Sequence, residues 1–203
     1  MGKIPHNGQW FWERFDPARG GGDLAALRRG IGQAAGTVPG MWRFYRAYVN
    51  DELAREGRVS TGLIAEHAAL TLYGVHQQSQ RQRMHSDTTP LGVALRQLRN
   101  RPDISADALD RRVNAAATAG SVTEVIGHLR GLITQLRGKQ IPLDYNRLVE
   151  DLHDWTWPDS RARARRRWGT HYYTYPETRA EDSDQNVEVG TALPTDTVKE
   201  ETR

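Results

Sequence analysis

SVTEVIGHLRGLITQLRG, residues 121–138, places apolar side chains at Val122, Val125, Ile126, Leu129, Leu132, Ile133 and Leu136. That is the spacing of one helical stripe, unbroken over roughly four turns. Glu124, His128, Arg130, Gln135 and Arg137 fall on the opposite face. Ser121 can cap the start with Glu124 three residues on, and Gly138 is expected to end the helix in a left-handed turn. Such a stripe must be covered, and residues 104–117 and 143–155 carry matching stripes. The fold class is therefore read as all-α, with arginines left on the outside of a helical stack.

Working outward, the preceding chain repeats this logic. Trp10, Phe11, Trp12 and Phe15 form a short aromatic helix expected to pack inward. Asp23 caps a helix with Leu24, Leu27 and Ile31 inward and Arg28 and Arg29 outward. Pro39 is expected to open a helix carrying Met41, Trp42, Phe44, Tyr45, Tyr48 and Val49. Ser60 or Thr61 opens a longer one to about Gln77, apolar on two faces and hence central. Residues 77–88 are polar and read as a mobile loop. Leu91, Ala94, Leu95 and Leu98 line the next helix, which Arg101-Pro102 ends. A domain boundary is set there, giving two small helical bundles at 1–102 and 103–176. Residues 171–175 could form a short extended piece. Residues 177–203 hold eight acidic and three basic residues with few large apolar ones, and read as a disordered acidic tail.

The 203 residues carry a net charge of +3. The acidic tail hides a stronger bias, since the rest has 25 basic and 17 acidic residues. Lysine occurs only at 3, 139 and 199, so the basic surface is almost wholly arginine, whose planar fork matches phosphate oxygens. There is no cysteine, which excludes disulfides, thiolate metal sites and cysteine nucleophiles. No apolar run approaches the ~18 residues of a membrane helix, and residues 1–16 lack the apolar core of a signal peptide. A soluble, cytoplasmic protein is expected, with no membrane partner.

Motifs for chemistry are sparse. The seven histidines form no zinc-peptidase pair, and Gly20–Gly22 is not followed by the residues of a phosphate-binding loop. His153-Asp154, with His67 or His76 and Asp159, could sketch a metal-dependent phosphohydrolase, but Asp159 lies too close in sequence to come from a separate helix. His67 on an apolar face reads as a hydrogen-bonded core histidine. Asp107 is spaced to pair with Arg111. No pair of carboxylates is set up for acid–base work, so no catalytic residue, metal site or cofactor is assigned and the chain reads as no enzyme.

The positive signal is basic. Arg28-Arg29, Arg111-Arg112, Arg130, Arg137 and Lys139 fall where the stripes leave the surface exposed. Residues 161–167 hold five arginines, a density that repels itself unless anions or acidic partners are near. These positions are the candidates for nucleic-acid contact.

The order of these motifs resembles the CasB family, the small subunit of the type I-E CRISPR surveillance complex, Cascade. The resemblance is carried by Leu27-Arg28-Arg29, Trp42-Arg43-Phe44-Tyr45-Arg46 and Leu91-Gly92-Val93-Ala94-Leu95. It continues through Asp110-Arg111-Arg112, His128-Leu129-Arg130-Gly131-Leu132 and Asp144 to Trp155, and spans residues 9–176. It implies a helical, non-catalytic antiviral-defence subunit of two small bundles. Two copies would lie along the complex beside the guide-RNA backbone subunits. They would hold the unwound target, including the displaced DNA strand, so that the R-loop is stabilised. Its implied partners are the other Cascade subunits, CRISPR RNA, both target DNA strands and a second copy of itself. Arg28, Arg29, Arg111, Arg112 and Arg130 fall at basic positions of the family motifs, and Arg165, Arg166 and Arg167 lie where the family is also basic. The loop at 77–88 and the tail have no counterpart in the resemblance.

Two other readings remain at this stage. One is a stand-alone DNA-binding protein using 105–118 and 121–137 as a helix-turn-helix joined by Gly120. The other is the phosphohydrolase built on His153 and Asp154.

Overall fold

The computed structural model describes residues 4–48 and 50–174. The acidic tail, Tyr175 and Val49 lie outside the described residues, and so do the expectations made for them. The described chain is all-α: α1 (Phe11–Arg14), α2 (Gly21–Arg29), a 3₁₀ segment (Pro39–Phe44), α3 (Asp51–Arg55), α4 (Thr61–His76), α5 (Leu91–Arg99), α6 (Ala106–Thr118), α7 (Val122–Gly138), α8 (Tyr145–Asp154) and α9 (Pro158–Tyr173). No helix is long and apolar enough to cross a membrane among the described residues.

Helix α4 is the hub, packing on α2, α7 and α8, while α5 packs on α9 and α6 on α7. Its burial on both faces follows from the two apolar stripes in its sequence. Buried apolar side chains on both sides of residue 102 belong to one continuous cluster, from Ile4 to Tyr172. Close backbone approach depends on glycine at the α5–α9 crossing. A Cβ on Gly92 would fall 2.5 Å from the Trp168 carbonyl oxygen and 2.6 Å from His171 Cβ.

Helix α7 is as its sequence dictates at its start. Ser121 Oγ accepts the Glu124 amide at 3.1 Å, and the Glu124 carboxylate accepts the amide of Gly120 at 2.7 Å. Its end differs from the expectation. Gly138 is the last helical residue and the left-handed residue is Gln140, φ +54°. The Gln140 amide donates to Arg137 O and the Ile141 amide to Leu136 O, both at 3.1 Å, which is the Schellman closure.

Elsewhere tertiary bonds override local pattern. The aromatic segment after Pro39 is a 3₁₀ turn and then extended chain, not one helix. Its Arg46 and Ala47 amides donate to the Glu66 carboxylate at 2.7 and 2.8 Å, and Ala47 bridges to His6. A short helix, α3, opens instead on the Asn50 cap. The polar loop 77–88 is pinned rather than mobile: Gln77 is 1% exposed, and its amide oxygen accepts from Tyr73 Oη and the Met84 amide at 3.0 and 2.8 Å. Residues 171–173 finish α9 and are helical, not extended.

Candidate nucleic-acid interface

Helix α7 carries Arg130 and Arg137 seven residues apart, so both project from one side, about 10 Å apart along the axis. Arg130 is exposed and has no hydrogen-bond or ion-pair partner among the described residues. Arg137 is anchored, donating to Val75 O at 3.3 Å and Gln78 Oε1 at 2.9 Å. Those two bonds use one nitrogen of the fork and leave the others for an anion. Lys139 pairs with Asp103, whose carboxyl is held below its ordinary range by the hydrogen bond from that lysine. Arg137 and Lys139 share a polar cleft of about 620 Å³ with Arg101, a residue whose place in the sequence suggested only a helix break.

Arg28 and Arg29 close the last turn of α2, where cations complement the helix dipole. Arg29 is exposed and Arg28 half-buried, and neither has an intramolecular partner among the described residues. Arg111 and Arg112 are exposed and equally unpartnered on α6. The expected Asp107–Arg111 pair does not form among the described residues. On that helix Asp110 pairs instead, accepting both arms of Arg99 at 2.9 and 3.0 Å and Tyr172 Oη at 2.6 Å. The Arg99 hydrogen bond holds the Asp110 carboxyl below its ordinary range.

The arginine-dense helix α9 resolves its own repulsion internally. Arg161 donates to Gly120 O and Arg165 to Ala119 O, the latter at 2.7 Å, so both satisfy carbonyls just past the C-terminus of α6. Arg165 also lies 5.5 Å over the Trp155 ring. Arg167 binds Asp151 and Asp154, and Arg163 donates to Ser160 Oγ at 2.9 Å. Arg166 alone of the five is exposed with no partner among the described residues. The acidic partners that such a run demands are thus Asp151 and Asp154 of this same chain.

His67, His76 and His153 are equally engaged. His67 Nδ1 accepts from Tyr45 Oη at 2.8 Å while Nε2 donates to Gly30 O at 3.0 Å, and burial holds its pKa below the ordinary value. His76 is bonded to Tyr145 Oη and Ile141 O, and burial lowers its pKa to about 4. His153 lies 3.2 Å from Thr61 Oγ1 and against Trp157, while Asp154 belongs to Arg167. The phosphohydrolase set therefore does not converge. The triad that lies close enough to share an ion, among the described residues, is His85, Asp87 and Asp144. Its members are already used: His85 bonds Asp87 at 2.9 Å and the Tyr145 amide at 3.3 Å, and Asp144 caps α8.

These features define an all-α protein whose outer faces carry unpartnered guanidinium groups and whose acidic and imidazole groups are largely spent on structure. The family model for CRISPR-associated protein Cse2 matches residues 23–173, and the chain belongs to that family. CasB from Thermobifida fusca is 30% identical, with a TM-score of 0.61 over 77% of this chain and 86% of that one. A Cse2-family protein from Thermus thermophilus is 20% identical, with a TM-score of 0.58 over 80% of this chain and 92% of its own. A chain of a CRISPR RNA-guided surveillance complex is 27% identical, with a TM-score of 0.54 over 73% of this chain and 79% of that one. No curated protein matches the chain.

Proposed function

We propose that the chain is a non-catalytic subunit of a CRISPR RNA-guided surveillance complex of the Cascade type, and that it grips nucleic-acid phosphates to keep an unwound target open. Membership of the Cse2 family and the likeness to a chain of such a complex support the assembly. The observation that carries the gripping is the exposed, unpartnered guanidinium of Arg130, in line with Arg137 on one rigid helix. Arg28, Arg29, Arg111, Arg112 and Arg166 extend the same chemistry over α2, α6 and α9. Sequence choice in a guided complex belongs to base pairing, so a helper subunit needs charge and rigidity but no base-reading side chains. Holding the displaced strand lowers the free energy of the open duplex and slows its closure. Arg165 and Arg167 serve this surface by building it, since their forks fix α9 against α6 and α8.

The test is gentle purification of the tagged chain from its host. A discrete short RNA with several protein partners in fixed ratio is the expected result. A chain that emerges alone, or with random DNA fragments that salt removes, would contradict the assembly and favour a stand-alone DNA binder.

A further inference from the structure

A groove of about 580 Å³ lies between the loop after α2, the stretch of α4 from Ile64 to Thr71 and the start of α7 from Val122 to Arg130. That volume is in the range of about 300–1,000 Å³ typical of small-molecule sites. Its walls are mainly aliphatic, with Ile31, Ile64, Val122 and Ile126, and Thr123 brings a hydroxyl to its rim. Among the described residues Arg130 is the sole charged group of the lining and no carboxylate belongs to it, the other polar side chains being Gln33, His67, Thr71 and Thr123. Other clefts of this surface differ: Asp103 lines one, Asp16 and Asp23 another, Glu13 and Glu150 a third. An apolar groove edged by arginine alone repels no anion.

Gly127 gives a second, separate observation. It sits inside α7 and lines the groove, yet a Cβ there would meet nothing within 4 Å. Glycine in a helix interior costs about 1 kcal/mol relative to alanine. A Cβ at Gly131 or Gly169 would likewise meet no described neighbour, but of these three only Gly127 lines the groove, and its missing side chain leaves that stretch of wall open.

We propose that this groove receives one base of a single-stranded nucleic acid, while Arg130 holds the adjoining phosphate. The inference rests on the phosphate-gripping reading above and adds a contact that phosphates alone do not supply. Aliphatic walls bury the flat face of a base without reading its edges, so the site is tolerant of sequence. It also requires an unpaired strand, because a base stacked within a duplex cannot enter.

The test compares binding of the full chain to oligothymidylate and to an abasic oligomer of equal length. The wild type should prefer the base-bearing strand by about 5- to 10-fold, as burial of roughly 40–55 Å² of apolar surface predicts. Gly127→Leu fills the groove without removing charge. It should bring oligothymidylate down to the abasic level, leave abasic binding and the salt slope unchanged, and melt no lower than wild type. Thr123→Leu blocks the same rim independently. Arg130→Ala should weaken both strands and flatten the salt slope by about one unit. Equal wild-type affinities, or an undiminished preference in both filled variants, would overturn the base site while leaving phosphate gripping intact. Absence of binding to either strand would overturn both readings. Filled variants that bind both strands normally but fail to join the complex would overturn the site in favour of a partner protein's apolar side chain.

Discussion

Arg167 on α9 is ion-paired with Asp151 on α8, a carboxylate that is 2% exposed and also accepts Trp168 Nε1 at 2.6 Å. The pair lies in the contact between the last two helices, so it acts on the fold rather than on a ligand. Stranding the other charge of a buried pair costs about 3–5 kcal/mol. Arg147 Nε, 3.6 Å from Asp151, retains part of the compensation, so the loss should lie toward the lower end of that range. Arg167→Ala should therefore lower the melting temperature sharply. Arg166→Ala, one residue away on the exposed side, should leave it unchanged; equal melting losses in a thermal scan would contradict this division.

Glu66 predicts a pH dependence. It is fully buried, and desolvation pushes its carboxyl up to about 7 from 4.5, against the two backbone amides that favour the ion. Folded Glu66 keeps its proton where the unfolded chain has lost it. Its contribution is complete below about pH 4.5 and disappears as pH rises to about 7. Across that window it should take away at most roughly 3 kcal/mol. Urea unfolding at both ends of the window checks this, and Glu66→Gln should flatten the difference.

The α5–α9 crossing predicts a packing penalty. Gly92→Ala would drive a methyl group into the backbone of Trp168. Overpacking of this kind costs about 1–3 kcal/mol. Denaturant unfolding should show a lower midpoint with an unchanged slope.

The end of α7 predicts a gain. Gln140 occupies the left-handed position that favours glycine. Gln140→Gly should stabilise the protein by about 0.5–1 kcal/mol, the relief of the Cβ clash less the extra chain entropy. A melting temperature at or below wild type would contradict the capping account.

Much of this was legible from residue spacing. The stripes of α5 to α8 set those helices, the double stripe of α4 marked the hub, and Ser121 marked the start of α7. What was not legible depended on partners distant in sequence. Nothing near Arg46 announces that Glu66 will take its amide and hold the chain extended. Gln77 looks like any loop residue until its side chain is seen stapling Tyr73 to Met84. The arginines of 161–167 illustrate the same limit: spacing reveals a density of charge, but only packing reveals that carbonyls at the end of α6 and the Asp151 carboxylate claim most of it. Arg101 was missed for the converse reason, since its place before Pro102 drew attention to the backbone and away from the guanidinium.

The central claim is that unpartnered arginines on α2 and α7 hold phosphates. It is tested most directly by the salt dependence of target binding in the assembled complex carrying Arg28→Ala, Arg29→Ala and Arg130→Ala. Each lost phosphate contact should flatten the log–log slope by about one unit, uniformly across target sequences. A slope equal to wild type in the triple variant, with the complex intact, would contradict the claim.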